Sequence, residues 1–279
     1  MSWSGARNNP YRPQAQQQQR KKKRPSDVFR NVAGWGDLTR GLNATFWEKM
    51  NNKWREVEEF VCPCDAQLLT RPFQLCPLDD VVDGQGNVLV EGGVERILIS
   101  QCPYPYRHQA TGLTFEVPNG CEEPKSLRIL RNLINGEFGT SAGTIYPSAW
   151  ARQKCLLLNA NLMSIEGSQD DGSDIDWKQF VQFILRLVVE KKGHNRIPTL
   201  AVGSDAQAVV EVIIDDGFVV RTHHAVSRSD AGMFHTNSVF TTLELMARTE
   251  DPDCEPVDWT RKERVWVEED IAALSDYFA

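Results

Sequence analysis

Short apolar runs that end in small or polar residues organise the middle of the chain. Four runs have the length of buried strands, at residues 96–100, 155–160, 199–203 and 218–224. Apolar residues at helical spacing follow or separate them, at about residues 125–135, 176–191, 204–215 and 237–248. Because alternating strands and helices build a parallel sheet covered on both faces, we predict a three-layer α/β/α fold with a central four-stranded parallel sheet.

A further helix is predicted ahead of the sheet. Asn43 is a suitable N-cap, and the apolar residues after it recur at helical intervals: Phe46, Trp47, Met50, Trp54, Val57 and Val61. Gly193 is a predicted stop for the helix at 176–191, for which Asp176 is the candidate cap. Residues 83–87, with the sequence DGQGN, predict a turn.

The composition is that of a globular protein, but the charge is distributed unevenly. The 279 residues are 41% apolar and carry a net charge of −7. Residues 1–26 hold seven basic and no acidic side chains, so the rest of the chain is strongly acidic. Binding to phosphates needs a local excess of Lys and Arg, so any DNA-binding groove on the folded body is expected to be local.

Three segments are predicted. Residues 1–35 form a disordered basic and Gln-rich tail, residues 36–260 one folded domain, and residues 261–279 an acidic amphipathic helix. The basic block RKKKRP at residues 20–25 is a nuclear address, a tether for nucleic acid or a solubilising tail. The C-terminal helix packs on its own domain or docks a protein partner, so both ends are candidate protein-binding segments.

Cysteine usage and hydropathy indicate a soluble intracellular protein. The seven cysteines are an odd number and no signal peptide precedes them, which favours a reducing compartment without disulfides. A metal site is one interpretation of Cys62, Cys64 and Cys76. Their C-x-C spacing differs from the C-x2-C pair of zinc ribbons, however, and no fourth ligand is evident. We therefore expect buried thiols, no metal and no cofactor. Gln182 and Arg186 interrupt the longest apolar run, which predicts no membrane span.

Polar and small residues follow each predicted strand. They are Ser100 to Cys102, Asn159, Gly203 with Ser204, and His223 with His224. Because the carboxyl ends of parallel strands share one edge, where open α/β sheets bind ligands, we expect these residues to lie close together. Each also has a structural interpretation: Asn159 could satisfy a strand-end backbone group, and Phe115 could belong to the core.

Several of these segments carry a family resemblance. Residues 100–105 read Ser-Gln-Cys-Pro-Tyr-Pro, and similarity continues at residues 109–118, 124–127, 149–162, 202–207, 221–230 and 256–259. Together they resemble the uracil-DNA glycosylase family, whose first motif is Gly-Gln-Asp-Pro-Tyr-His. The resemblance covers about residues 40–260 in the same order. It implies the family's fold, DNA as partner, and excision of a uracil that is flipped out of the DNA.

The resemblance also implies roles for individual residues. Asn159 would read the polar edge of uracil, Phe115 would stack on the base, Tyr104 would exclude thymine's methyl group, and the backbone of Gln101 would complete the base contacts. His224 would donate a hydrogen bond to the uracil oxygen as it becomes negative. Arg228 would be the DNA wedge. The implied phosphate contacts are Ser126, Gly203, Ser204 and Ser229.

Departures from the family pattern concern the catalytic residue, the residue after Tyr104 and the DNA wedge. Pro105 in place of His and Arg228 in place of Leu resemble the poxvirus branch, which is active and serves as a DNA polymerase processivity partner. Cys102 replaces the catalytic Asp. A thiol has an ordinary pKa of about 8.5, so it is mostly neutral at pH 7. Loss of a preorganised charge costs on the order of 3–4 kcal/mol, or roughly 100-fold to 1000-fold in rate.

The sequence therefore predicts a catalytically impaired relative that binds single- or double-stranded DNA, or a replication-associated protein. Two alternatives stay open. In the first, the chain is an active uracil-DNA glycosylase. In the second, an ionised Cys102 attacks the sugar and traps DNA covalently.

Overall fold

The computed structural model describes residues 23–57, 61–63, 65–106, 109–166, 177–223 and 238–262. Its strands in chain order are β1 (Val61–Cys62), β2 (Val81–Val82), β3 (Val88–Val90), β4 (Arg96–Ser100), β5 (Cys155–Asn159), β6 (Ser164–Ile165), β7 (Thr199–Val202) and β8 (Val219–Thr222). The central sheet has four parallel strands in the order β5-β4-β7-β8. Antiparallel pairs of short strands, β1 with β6 and β2 with β3, lie outside it.

Helices cover both faces of the sheet. They are α1 (Pro25–Val28), α2 (Ala44–Glu56), α3 (Arg71–Leu75), α4 (Lys125–Phe138), α5 (Pro147–Ala151), α6 (Trp177–Lys192), α7 (Ser204–Val210) and α8 (Val239–Glu250). Short 3₁₀ helices span Leu38–Gly41, Ala66–Thr70 and Asp216–Phe218. The predicted three-layer α/β/α fold with a four-stranded parallel sheet is confirmed.

Side chains alternate between the two faces along each central strand. Ile97 and Ile99 of β4 belong to the hydrophobic cluster built with α2, α6 and α7. Leu98 belongs to the second cluster, built with α4, α5 and α8. Since both faces are covered, every residue of β4 and β5 is buried, which explains their continuous apolar sequences.

The local signals at helix ends act mostly as the sequence predicts. The Asn43 side chain accepts a hydrogen bond from the amide of Phe46 at 2.9 Å and caps α2. Gly193, with φ of 74°, follows the last residue of α6. The helix predicted at 204–215 ends earlier, at Val210, because Asp215 instead accepts a hydrogen bond from the amide of Gly217 and caps a 3₁₀ helix.

The folded part of the chain begins earlier than the predicted domain boundary at residue 36. Phe29, Val32 and Trp35 are buried in the first hydrophobic cluster, so residues assigned to the tail contribute to the core. Residues 1–22 and 263–279, with most of the basic tail and of the C-terminal helix predicted from the sequence, lie outside the described residues. Within the described ranges, no helix is long and apolar enough to cross a membrane.

Candidate functional site

The segments that follow the central strands lie side by side at the carboxyl edge of the sheet. Ser100, the last residue of β4, is paired with Asn159, the last residue of β5. On the other side of β4, Val202 of β7 is paired with Thr222 of β8. The sequence places Gln101 and Cys102, Gly203, and His223 directly after β4, β7 and β8 respectively. Parallel pairing therefore gathers these residues at one edge.

Hydrogen bonds to three carbonyl groups fix the segment that carries Cys102. The amide of Ala160 donates to the Ser100 carbonyl at 2.7 Å, and the amide of Asn161 donates to the Gln101 carbonyl at 2.9 Å. The Ser164 hydroxyl donates to the Pro103 carbonyl at 3.2 Å. The Cys102 side chain is half-buried between these anchored positions, so the thiol is held at the edge of the sheet.

Asn159 is almost fully buried and is held by a neighbouring hydroxyl. The Ser100 hydroxyl donates to Oδ1 of Asn159 at 2.8 Å and also forms a hydrogen bond with the Thr114 hydroxyl. Asn159, Ser100 and Thr114 are 1%, 5% and 1% exposed. Because buried polar groups are costly unless they are hydrogen-bonded, this arrangement fixes the carboxamide at the end of β5.

Tyr104 and Ser126 meet across the site. The Ser126 hydroxyl, near the start of α4, donates to Oη of Tyr104 at 3.1 Å. Burial of the phenol end raises the pKa of Tyr104 well above its ordinary value, and the hydrogen bond from Ser126 opposes this only in part. Tyr104 is therefore neutral at physiological pH.

The loop that carries Phe115 is built around a buried ion pair. Arg71 of α3 and Glu116 form a salt bridge in which both side chains are at most 1% exposed. Glu116 also accepts hydrogen bonds from the Thr111 hydroxyl and from the amide of Ser148, both at 3.2 Å. Phe115, between Thr114 and Glu116 in the chain, has φ of 59° and packs in the second hydrophobic cluster. The ring that resembles the family's stacking residue thus also belongs to the core.

The end of β7 presents a tight turn. Gly203 has φ of 90° and its amide donates to the Thr222 carbonyl at 2.9 Å, so this N–H is already used within the fold. Ser204 is exposed, and so is His223 after β8. Three predicted site residues, His224, Arg228 and Ser229, lie outside the described residues.

Sequence reasoning missed three polar residues that shape this site: Arg71, Thr114 and Glu116. Charged residues are seldom fully buried, and the one signal for burial is that Glu116 lies in the apolar stretch LTFEVP. Ser100 was expected at this edge, but without a partner. Its register opposite Asn159 becomes visible only in the sheet.

The described residues contain no group of three or more His, Cys, Asp and Glu side chains that could hold a metal ion. A cleft of about 280 Å³ opens at the opposite, amino-terminal edge of the sheet. Its cations are paired with acids: Lys192 contacts Glu95 at 2.5 Å and Arg196 contacts Glu250 at 2.8 Å. These pairs leave little net charge to attract an anion, so the carboxyl edge is the better candidate site.

Proteins with similar sequences include uracil-DNA glycosylases of two bacteria. A uracil-DNA glycosylase of Desulfitobacterium hafniense is 26% identical over 167 residues, which cover 60% of this chain and 73% of that protein. A uracil-DNA glycosylase of Chlamydia abortus is 34% identical over 101 residues, which cover 36% of this chain and 44% of that protein. No protein-family model matches the sequence.

Solved structures with a similar fold include two of mimivirus origin. Mimivirus uracil-DNA glycosylase has a TM-score of 0.61 at 14% identity, covering 88% of this chain and 94% of that one. A variant of mimivirus UNG in complex with UGI has a TM-score of 0.63 at 15% identity, covering 83% and 88%. These structures establish a shared fold.

Proposed function

We propose that this chain, which is related in sequence to the uracil-DNA glycosylases and shares their fold, binds uracil in DNA but excises it slowly or not at all. One observation carries the proposal. The carboxamide of Asn159 lies in register with Ser100 at the carboxyl edge of the sheet, while the thiol of Cys102, two residues further on, stands where the family has a carboxylate.

Recognition of the base is assigned to Asn159, Gln101, Tyr104 and Phe115. A carboxamide offers a donor and an acceptor side by side, which matches the polar edge of uracil. The backbone of Gln101 lies beside β5, because its carbonyl accepts from the amide of Asn161. Tyr104 is held by Ser126 and closes one side of the site to a methyl group. These groups are preorganised, so binding requires little further ordering.

Cleavage of the bond between uracil and the sugar is the step that we expect to be slow. Departure of uracil as an anion leaves a positively charged sugar, and a neutral thiol at position 102 stabilises that charge less than a carboxylate does. The expected loss is on the order of 3–4 kcal/mol, or roughly 100-fold to 1000-fold in rate. His224, which we propose as the donor to the uracil oxygen, does not replace the lost negative charge.

Contacts to DNA phosphates are proposed for the exposed Ser204, with Ser126, Gly203 and Ser229 around it and Arg228 as the wedge. The basic N-terminal tail and the predicted C-terminal helix at residues 261–279 are the proposed contacts for a replication-associated or other protein partner. A pull-down with chains that lack either segment tests that part of the proposal.

The test is single-turnover excision from a labelled single-stranded DNA that contains one uracil. We expect little release by the wild-type chain, a rise of at least tenfold for Cys102→Asp, and no release by Cys102→Asp combined with Asn159→Ala. Tenfold corresponds to about 1.4 kcal/mol of barrier. Cys254→Asp is the matched control, since Cys254 is also half-buried but lies after α8, far along the chain from the strand ends that form the site.

Binding is measured separately, by fluorescence anisotropy with the same DNA carrying uracil or thymine. We expect tighter binding of the uracil strand and a loss of this preference in Asn159→Ala. Fast, Asn159-dependent uracil release by the wild-type chain would instead establish an active enzyme. A covalent protein–DNA product that forms only when Cys102 is present would establish trapping.

A further inference from the structure

Two buried hydroxyl groups connect the candidate base-reading amide to the interior of the fold. Ser100 ends β4, Thr114 lies in the loop before Phe115, and Asn159 ends β5. The Ser100 hydroxyl is bonded to both neighbours, to Oδ1 of Asn159 at 2.8 Å and to the hydroxyl of Thr114. All three side chains are at most 5% exposed, so water competes little for these hydrogen bonds.

The direction of this hydrogen-bonded chain follows from counting hydrogens. A serine hydroxyl has one hydrogen, and Oδ1 of an asparagine can only accept. Ser100 therefore gives its hydrogen to Asn159, and its oxygen must accept the hydrogen of Thr114. The result is a polarised relay that runs from Thr114 through Ser100 to the carbonyl oxygen of Asn159.

The relay leaves the other end of the amide open. Within the described residues, the hydrogen bond from Ser100 engages Oδ1 of Asn159 and not Nδ2, and the side chain is 1% exposed. A rotation of the amide by half a turn would turn the N–H₂ group to the oxygen of Ser100, and one of the two buried hydroxyl hydrogens, that of Ser100 or that of Thr114, would then lack an acceptor within the three side chains. Nδ2 is thus the group of Asn159 that is left to donate to a ligand, while Oδ1 keeps a second lone pair.

We propose that Ser100 and Thr114 are positioning residues that fix the polarity of the Asn159 amide and thereby select a base with a keto oxygen over one with an amino group. The proposal rests on the proposed function, because it assumes that Asn159 faces the base. Uracil presents a keto oxygen that can accept from Nδ2. Cytosine presents an amino donor at the same place, so two donors would face each other.

The test compares binding of three DNA strands that differ at one position, which carries uracil, cytosine or an abasic-site analogue. We expect Ser100→Ala to lower the ratio of uracil to cytosine affinity by about tenfold and Thr114→Val to lower it less. Affinity for the abasic strand should stay unchanged. Ser100→Thr keeps a hydroxyl and should keep the ratio. Thr199→Val is the matched control, because Thr199 is a fully buried threonine at the opposite end of β7.

A second measurement tests the orientation of the Asn159 amide without DNA. The side-chain ¹⁵N–¹H resonances of Asn159 are identified by their loss in Asn159→Ala. We expect one set of resonances in the wild-type chain. In Ser100→Ala we expect two sets, because the amide then samples both orientations. An unchanged spectrum in Ser100→Ala, or an unchanged uracil-to-cytosine ratio in a folded Ser100→Ala chain, overturns the relay. If Ser100→Ala shows the spectral change but the wild-type chain has no preference for uracil over cytosine, the proposed function is overturned instead.

Discussion

Replacing Glu116 with Gln should destabilise the fold more than any surface charge change. The substitution keeps the shape of the side chain but removes the carboxylate that contacts the buried Arg71 guanidinium and puts there an amide, whose N–H₂ group cannot accept a hydrogen bond. Breaking a buried ion pair from one side costs about 3–5 kcal/mol. Hydrogen bonds from Thr111 and Ser148 to the same carboxylate weaken as well, so the cost should lie in this range or above it.

The assay is urea unfolding followed by circular dichroism, with Glu91→Gln as control. Glu91 forms an ion pair with Lys154 at 3.7 Å, and its side chain is 79% exposed, so its loss should cost about 0–1 kcal/mol. The double variant Arg71→Met with Glu116→Gln removes the buried guanidinium together with the carboxylate and should recover part of the lost stability. If the free energy of unfolding of Glu116→Gln lies within about 1 kcal/mol of that of the Glu91→Gln control, the buried pair does not hold the Phe115 loop in place.

Two further outcomes test the packing of the same region. Gly112 has φ of +86° and an added Cβ would come within 1.8 Å of the Leu68 carbonyl oxygen, whereas Gly120 has φ of +81° and open space around it. In thermal melts, the free energy of unfolding should therefore fall by about 1 kcal/mol in Gly120→Ala and by clearly more in Gly112→Ala. Burial raises the pKa of Tyr104, so the stability that its neutral form contributes is present below pH 10 and is lost as pH rises beyond it. The absorbance difference at 295 nm between wild type and Tyr104→Phe should accordingly stay flat through pH 10, and a step there would contradict the burial of the phenol.

The sheet could be predicted from sequence because burial on both faces removes the need for polar residues. In β5 every residue from Cys155 to Asn159 is buried, so the run is apolar until its last position. Arg96 is the exception at the start of β4: it is buried, and it contacts Glu244 of α8 at 2.6 Å. One helix end was predicted wrongly, the end of the helix expected at 204–215, since a cap of a 3₁₀ helix such as Asp215 looks like any other cap in sequence.

The candidate site could be predicted only in part, for a different physical reason. A strand end is a local feature, so Asn159 and Cys102 are visible in the sequence. A hydrogen-bond partner far along the chain is not local. Glu116 and Arg71 are 45 residues apart and Ser100 and Asn159 are 59 apart, and hydrophobic periodicity contains no information about either pair. Such partners follow only from the register of the sheet and the path of its loops.

Two of the three departures from the family motif in the hexapeptide at residues 100–105, Ser100 and Cys102, are expected to act on different steps. The Ser100 hydroxyl is already bonded to Asn159 before any ligand arrives, so its effect is expressed in binding. A carboxylate at position 102 would act only as positive charge develops on the sugar, so its absence is expressed in the rate. A chain with Ser100 and Cys102 can therefore keep selectivity for uracil while losing the means to release it. Binding preference and excision rate should then change independently, with Ser100→Ala lowering the first and Cys102→Asp raising the second.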